Sequence, residues 1–405
     1  MGEKGLSKFF EDYLNRKPLF LDKQYLQPTY VPKEIPHRKK QMEEVASILA
    51  PSLRKEKPSN LFIYGKTGTG KTVVIKYVTR EMEELAKKKG VSLKIVYLNC
   101  KLQRVADTEY RLIAQIIREM GGTVPTTGLP TKDVYDLFLK ILEQQKTLLI
   151  LILDEIDQLV LKIEDPVLYS LTRLNTELKH SQLSIIGISN DLKFTNNLDP
   201  RVKSSLSEEE VLFEPYNAVQ LQDILRKRAK MSLRDDAVEE GLIEKCAAYA
   251  AREHGDARRA IELLRVAGEL AERNKQEKVM IKHLDMAQEK IDQDRITQAV
   301  KTSPKQFKVV LQSIMELHEK INGNGDKICT GDVYDIYKKY STKAGVNPLT
   351  PRRVLDIINE MDMLGIIHTR VISKGRGGRT TEIGFDHAQT TMEEMTKMLK
   401  EGLNL

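Results

Sequence analysis

The sequence predicts an α/β chain: a parallel sheet with helices on both faces, then a helical stretch, then a winged helix-turn-helix module. Three observations predict it. An apolar run, Leu61 to Tyr64, leads into Gly65-Lys66-Thr67-Gly68-Thr69-Gly70-Lys71-Thr72 and a helical pattern. A second apolar run, "TLLILILD" (147–154), is unbroken and ends in Asp154-Glu155, as a strand buried on both faces of a parallel sheet does. Near the C-terminal end, three helical patterns precede two β-branched runs around a basic, glycine-rich turn.

Composition sets the bounds. At 405 residues, with 40% apolar and 30% charged side chains, the chain suits two or three globular domains and is not a disordered one. No apolar run is long enough for a membrane span, and "MGEKGLSKFFEDYLNRK" has no hydrophobic signal core, so a cytoplasmic protein with no membrane partner is expected. Leu6 stands where N-myristoylation asks for Ser or Thr. Cys100, Cys246 and Cys329 lie far apart without metal-ligand spacing, and buried thiols in a reducing compartment are the expectation. A formal charge of +7 permits an anionic partner without proving one.

The glycine-rich segment is the full G-x-x-x-x-G-K-[ST] pattern in its strand–loop–helix context. Glycines let the backbone curl so that successive N–H groups face phosphates, and the helix adds its positive N-terminal end. Lys71 supplies a point charge to the outer phosphates and Thr72 a hydroxyl to magnesium. Gly65 through Thr72 are therefore the expected nucleotide loop, with ATP or ADP and Mg2+ as ligands. A bare glycine turn does not account for an eight-residue match in this context.

Asp154 and Glu155 emerge at a strand's carboxyl end, where such sheets bind ligands. Asp154 is expected to hold the magnesium and Glu155 to polarise the attacking water. Acids after a strand also cap helices, a role that suits Asp157. A third buried run, "LSIIGISNDLKF" (183–194), carries the polar strand-end residue Asn190.

From about 216 to 297 the pattern is helical. Asn217 is a candidate N-cap, Val219, Leu221, Ile224 and Leu225 follow at helical spacing, and two more helices break at Gly255. From 298 come a helix after Ser303-Pro304, the turn "NGNGDKI", a second helix, and a third starting at Thr350-Pro351. The third has Arg352 and Arg353 in its first turn and Val354, Leu355, Ile357, Ile358 and Met361 as its expected core face. Then "IIHTRVIS" and "RTTEIGF" flank "KGRGG", giving a two-stranded hairpin. In helix-turn-helix proteins the second helix of the pair enters the major groove, and an arginine fork reads guanine or clamps phosphate. Winged helices also serve as protein-binding modules; the charge of Lys374, Arg376 and Arg379 at the hairpin tip favours DNA. These contacts would make affinity fall steeply with salt.

The ordered series "GKTGTGKT", "LILDEID", Asn190, Arg201 and "HGDARRAIELL" resembles the AAA+ ATPases. Within them it resembles the archaeal replication initiators related to the origin recognition complex and its helicase-loading cousin, over nearly the whole chain. The resemblance implies an α/β AAA+ P-loop ATPase domain (1–215), a helical lid (216–297), a winged helix-turn-helix DNA-binding domain (298–390) and a helical tail (391–405). It implies that Tyr30, Val31 and Pro32 lie near the adenine, and that residues 98–117 form an initiator-specific insertion, with Lys101 and Arg104 toward DNA. Asn190 matches the sensor-1 position and Arg258 the sensor-2 arginine, with Arg259 as adjacent competitor. Arg201 is the candidate finger for a neighbour's ATP; eukaryotic relatives carry a further Arg where this chain has Ser204-Ser205. The implied function is an ATP-switched, slowly hydrolysing initiator. Its partners would be double-stranded DNA at replication origins, the replicative minichromosome maintenance helicase and paralogous initiators. The other classes weighed are an ATP-regulated transcriptional regulator and a clamp-loading or protein-remodelling AAA+ machine.

Overall fold

Runs that are apolar at both parities build the sheet from its centre outward. The computed structural model describes residues 10–403 apart from 12, 33, 102–106, 126–127, 165, 193, 195–197, 207, 322–327, 374–378 and 386–388. Five strands, β1 (Leu61–Tyr64), β2 (Leu93–Asn99), β3 (Leu148–Asp154), β4 (Gln182–Ser189) and β5 (Glu209–Leu212), form one sheet in the order β2-β3-β4-β1-β5. All four pairings are parallel. Every residue of β3 is buried. Because β4 lies between β1 and β3, the carboxyl ends of these three strands stand side by side.

The helices of this part are α1 (Lys39–Leu49), α2 (Lys71–Lys89), α3 (Glu109–Glu119), α4 (Thr131–Gln145), α5 (Ile156–Ile163), α6 (Pro166–Arg173) and α7 (Pro200–Leu206). Period-2 alternation divides the strands between two cores. Leu148, Ile150 and Ile152 face α1 and α2 with Val45, Val74 and Ile75, whereas Leu149, Leu151 and Leu153 face Leu112, Ile116, Phe138 and Leu159 of α3, α4 and α5. Cys100 and Cys246 are buried, and burial pushes both thiols up to about 12; Cys329 is half-buried.

Three helices follow, α8 (Ala218–Ser232), α9 (Leu242–Arg252) and α10 (Ala257–Arg273). Asn217 caps α8 through a reciprocal box with Gln220. Leu221, Ile224 and Leu225 are buried as expected, but Val219 is exposed: in the first turn it points away from the stripe that the other three define. The N-terminal segment is strapped to these helices. Leu21 N–H donates to Ser232 O (2.8 Å) and Arg234 N–H to Leu19 O (3.2 Å). The Phe20 ring lies against Gly268, where any Cβ would stand 2.5 Å from it.

The chain divides into two compact units, Met1–Leu284 and Asp285–Leu405, within α11 (Ile281–Thr302). The second unit holds α12 (Lys305–Ile321), α13 (Thr330–Lys343), α14 (Pro351–Met363) and α15 (Gln389–Leu403). Its strands are β6 (Ile328–Cys329), β7 (His368–Ser373) and β8 (Arg379–Gly384), antiparallel in the order β6-β8-β7. The expected hairpin is thus the outer part of a three-stranded sheet; β6, two residues long, is too short to show a period in sequence. Thr350 caps α14, accepting from Arg353 N–H at 3.4 Å. Val354, Ile357, Ile358 and Met361 are buried, while Leu355 is 37% exposed and not part of the core face, since one residue turns about 100° around the helix. Met395, Leu399 and Leu403 of α15 complete this core.

Candidate nucleotide site and nucleic-acid interface

The loop between β1 and α2 is shaped by two close approaches. Gly65 passes Phe213 so closely that a Cβ would lie 2.3 Å from the Phe213 carbonyl oxygen. Gly68 has φ +72°, and a Cβ there would lie 1.7 Å from Asp256 Oδ1. Asp256 caps α10 by accepting from Arg258 and Arg259 N–H (2.7 and 3.2 Å), and Ala257 N–H donates to Gly68 O at 3.2 Å. Loop and lid helix therefore touch backbone to backbone. No side chain caps α2, which leaves its first-turn N–H groups available to an anion.

Lys71, buried, donates to Gly65 O (2.6 Å), Lys66 O (2.8 Å) and Asn190 Oδ1 (2.9 Å). Burial lowers its ammonium to about 8, while Asp154 acts to raise it and Arg258 to lower it further. The β4-end asparagine and the loop lysine are thus brought together, as the strand order requires.

Asp154 Oδ2 accepts from Thr72 Oγ1 (2.9 Å) and from the Tyr97 hydroxyl (2.5 Å). Its Oδ1 accepts from Glu155 N–H at 3.0 Å. Glu155 is left-handed (φ 56°, ψ 47°), a conformation that a residue with a Cβ adopts at a cost of ~1 kcal/mol. The turn lifts its carboxylate out of the strand line, and Lys101 Nζ lies 3.8 Å from Glu155 Oε2. Asp157 is engaged by Ser189 Oγ at 2.9 Å. Among the described residues no group of three or more His, Cys, Asp or Glu could hold a metal. Thr72 and Asp154 supply two adjacent hard oxygens, the small protein share that Mg2+ takes when phosphates and water complete its octahedron.

A cavity of about 660 Å³ opens here, lined by Gly68 to Thr72, Asp154, Glu155, Asn190 and Arg258, and also by Tyr30, Val31 and Pro32. Gly65, Lys66 and Thr67 do not line it; Lys66 Nζ lies 3.3 Å from His254 Nδ1. Arg258 is exposed into the cavity, whereas Arg259 is engaged by Glu253 at 3.2 Å. The Arg228 guanidinium lies over the Tyr30 ring at 4.5 Å and donates to Tyr25 O at 3.0 Å.

Sequence reasoning missed Arg38 and Tyr97. Arg38 is 3% exposed; its Nε donates to Thr69 O (2.9 Å), its Nη2 to Glu214 O, and its plane covers Tyr216 at 3.9 Å. In "PHRKKQ" it reads as one of a run of solvated charges, and no local signal separates it from Lys39 and Lys40.

Three family models match in chain order: "AAA domain" over residues 54–193, "Cdc6 AAA+ ATPase-type lid domain" over 222–289, and "CDC6, C terminal winged helix domain" over 298–395. An ORC1-type DNA replication protein of Thermococcus onnurineus is 51% identical over 388 residues, 95% of this chain and 92% of its own length. ORC1-type DNA replication protein 1 of Methanosarcina mazei is 47% identical over 402 residues, covering 99% and 95%. The chain belongs to the ORC1-type DNA replication proteins. It carries the AAA+ ATPase domain, the lid and the winged helix of that family, and with them nucleotide binding and an ATPase fold. The solved structure of the Aeropyrum pernix ORC1 protein in complex with DNA has 43% identity and a TM-score of 0.81, covering 95% of this chain and 98% of that one.

On this ORC1-type frame the remaining predicted residues are dispersed. Arg201, at the start of α7, does not line the cavity; it forks onto Asp199 (3.1 and 3.0 Å) and lies 5.2 Å from the Tyr169 ring centre. Arg352 and Arg353 are exposed on the first turn of α14, with Arg353 3.6 Å from Asp356. Arg379 opens β8; Arg104, Lys374 and Arg376 lie outside the described residues. No helix among the described residues is long and apolar enough to cross a membrane.

Proposed function

We propose that this chain is a replication initiator that binds origin duplex DNA, uses ATP as a conformational switch with slow Mg2+-dependent hydrolysis, and helps recruit the replicative minichromosome maintenance helicase. One observation carries the reading: the likeness to the DNA-complexed Aeropyrum pernix ORC1 protein, which runs through ATPase, lid and winged helix alike. Lys71 and the α2 N-terminus would hold the phosphates, and Thr72 and Asp154 would hold Mg2+. The metal would neutralise charge on the phosphate oxygens. Glu155 would orient the attacking water, Asn190 would hold it toward the terminal phosphate, and Tyr30, Val31 and Pro32 would flank the base. Arg258 sits on the helix whose cap touches Gly68, so a phosphate oxygen gripped there would set the angle between lid and loop. Arg201, which does not line the cavity of its own chain, would act on a neighbour's nucleotide.

On DNA, Arg352 and Arg353 would enter a groove with the first turn of α14, while Lys374, Arg376 and Arg379 meet the backbone. Lys101 and Arg104 would add a second contact from the ATPase domain. Fluorescence anisotropy on duplex DNA across a salt series tests this. Each lost phosphate contact reduces the slope of log K against log salt by about 1. Arg376→Ala with Arg379→Ala is expected to weaken all duplexes and flatten that slope; Arg352→Ala with Arg353→Ala is expected also to narrow the gap between origin and random duplex. Unchanged affinity and slope in both variants would remove the winged helix from the DNA interface.

A further inference from the structure

Tyr97 has no role in the expectations from sequence, yet its hydroxyl ends on the carboxylate most central to the site. β2 pairs with β3 in the register Tyr97↔Ile152 and Asn99↔Asp154. Residues paired in a parallel ladder share a sheet face, and so do residues two apart. Tyr97, Asn99, Ile152 and Asp154 therefore lie on one face, the one that α2 covers. A tyrosine two residues short of the strand end is long enough to reach Asp154 Oδ2, where it donates at 2.5 Å.

That oxygen also takes the Thr72 hydroxyl, while Oδ1 takes Glu155 N–H. Thr72 is expected to give its oxygen to a metal once nucleotide binds, which would leave the phenol as the side chain still fixing the Asp154 rotamer. The Lys76 ammonium lies over the Tyr97 ring, 4.1 Å from its centre.

We propose that Tyr97 is a positioning residue for the divalent cation: its hydroxyl, through Asp154, sets how well the site takes Mg2+ beside a nucleotide. The inference rests on Asp154 being the metal-holding carboxylate. Partners that orient a metal ligand are worth roughly 10–100-fold in metal affinity or activity.

The test is a Mg2+ titration of the full chain, read as the metal-dependent gain in affinity for a fluorescent ATP analogue and, separately, as hydrolysis. Tyr97→Phe keeps the ring and the Lys76 contact and removes one oxygen. It is expected to bind the analogue in EDTA as the unaltered protein does, and to need about tenfold more Mg2+ for both readouts. Asp154→Asn is run beside it. If Asp154→Asn loses the Mg2+ response and Tyr97→Phe does not differ from the unaltered protein, Tyr97 has no positioning role. If neither variant changes the Mg2+ response, it is the assignment of Asp154 that fails. A Tyr97→Phe protein that loses affinity equally with and without Mg2+ would show a general structural role, and would also overturn the proposal.

Discussion

Lys71 shows what single residues contribute. Buried in a loop of backbone carbonyls, it spends its three protons on Gly65, Lys66 and Asn190, and an incoming phosphate has to compete with these acceptors. It can do so because a charge-assisted bond between two ions exceeds one to a neutral carbonyl. With each such bond worth about 1.5–3 kcal/mol, Lys71→Ala is expected to lower ATP affinity at least ~100-fold by calorimetry while leaving most duplex affinity in place. ATP affinity that survives the substitution would remove the nucleotide from this loop. The loop itself was legible in sequence because four specified residues at fixed spacing, between a strand and a helix, leave little freedom. Arg38 and Tyr97 were not, since each acts through a partner distant in the chain: Thr69 and Glu214 for Arg38, Asp154 for Tyr97. The choice between Arg258 and Arg259 was open in sequence; in the structure Arg258 lines the cavity and Arg259 meets Glu253.

At the scale of elements, strand order does what no strand does alone. Inserting β4 between β1 and β3 puts Asn190 between the phosphate loop and Asp154, and only a parallel sheet delivers all three from one edge. The three buried runs were readable as strands from their apolar continuity. Their order was not, because parallel strands buried on both faces carry no register signal of their own. Helix faces were read more loosely: Val219 and Leu355 are apolar yet exposed, each one step off the buried stripe.

The amino end of β4 is fastened by Glu143 near the end of α4, which accepts from the backbone N–H groups of Lys179, His180 and Ser181 and from the His180 ring. Burial pushes this carboxyl up, but the N–H donors outweigh it and hold it at about 2. A carboxylate depressed in the folded state contributes stability above its ordinary pKa of 4.5, and that stability is lost as pH falls toward about 2. Glu143→Gln is expected to lower the melting temperature at pH 7, with the gap from the unaltered protein closing between pH 4.5 and 2. A gap that is constant across that window would mean that the carboxylate charge is not what holds the 179–181 turn.

For the whole molecule, the chain joins an ATPase unit to a winged-helix unit, and both were foreseen because each has a period or motif that survives in sequence. What escaped was small: the two-residue β6, and α15 as a full partner in the second core. The proposed initiator role places the protein where replication starts. Genome-wide footprinting of the full-length chain, with and without ATP, tests that most directly. The expected result is protection concentrated at origin repeats and altered in extent by ATP. Occupancy confined to promoters, indifferent to nucleotide, would contradict an initiator and leave a transcriptional regulator in its place.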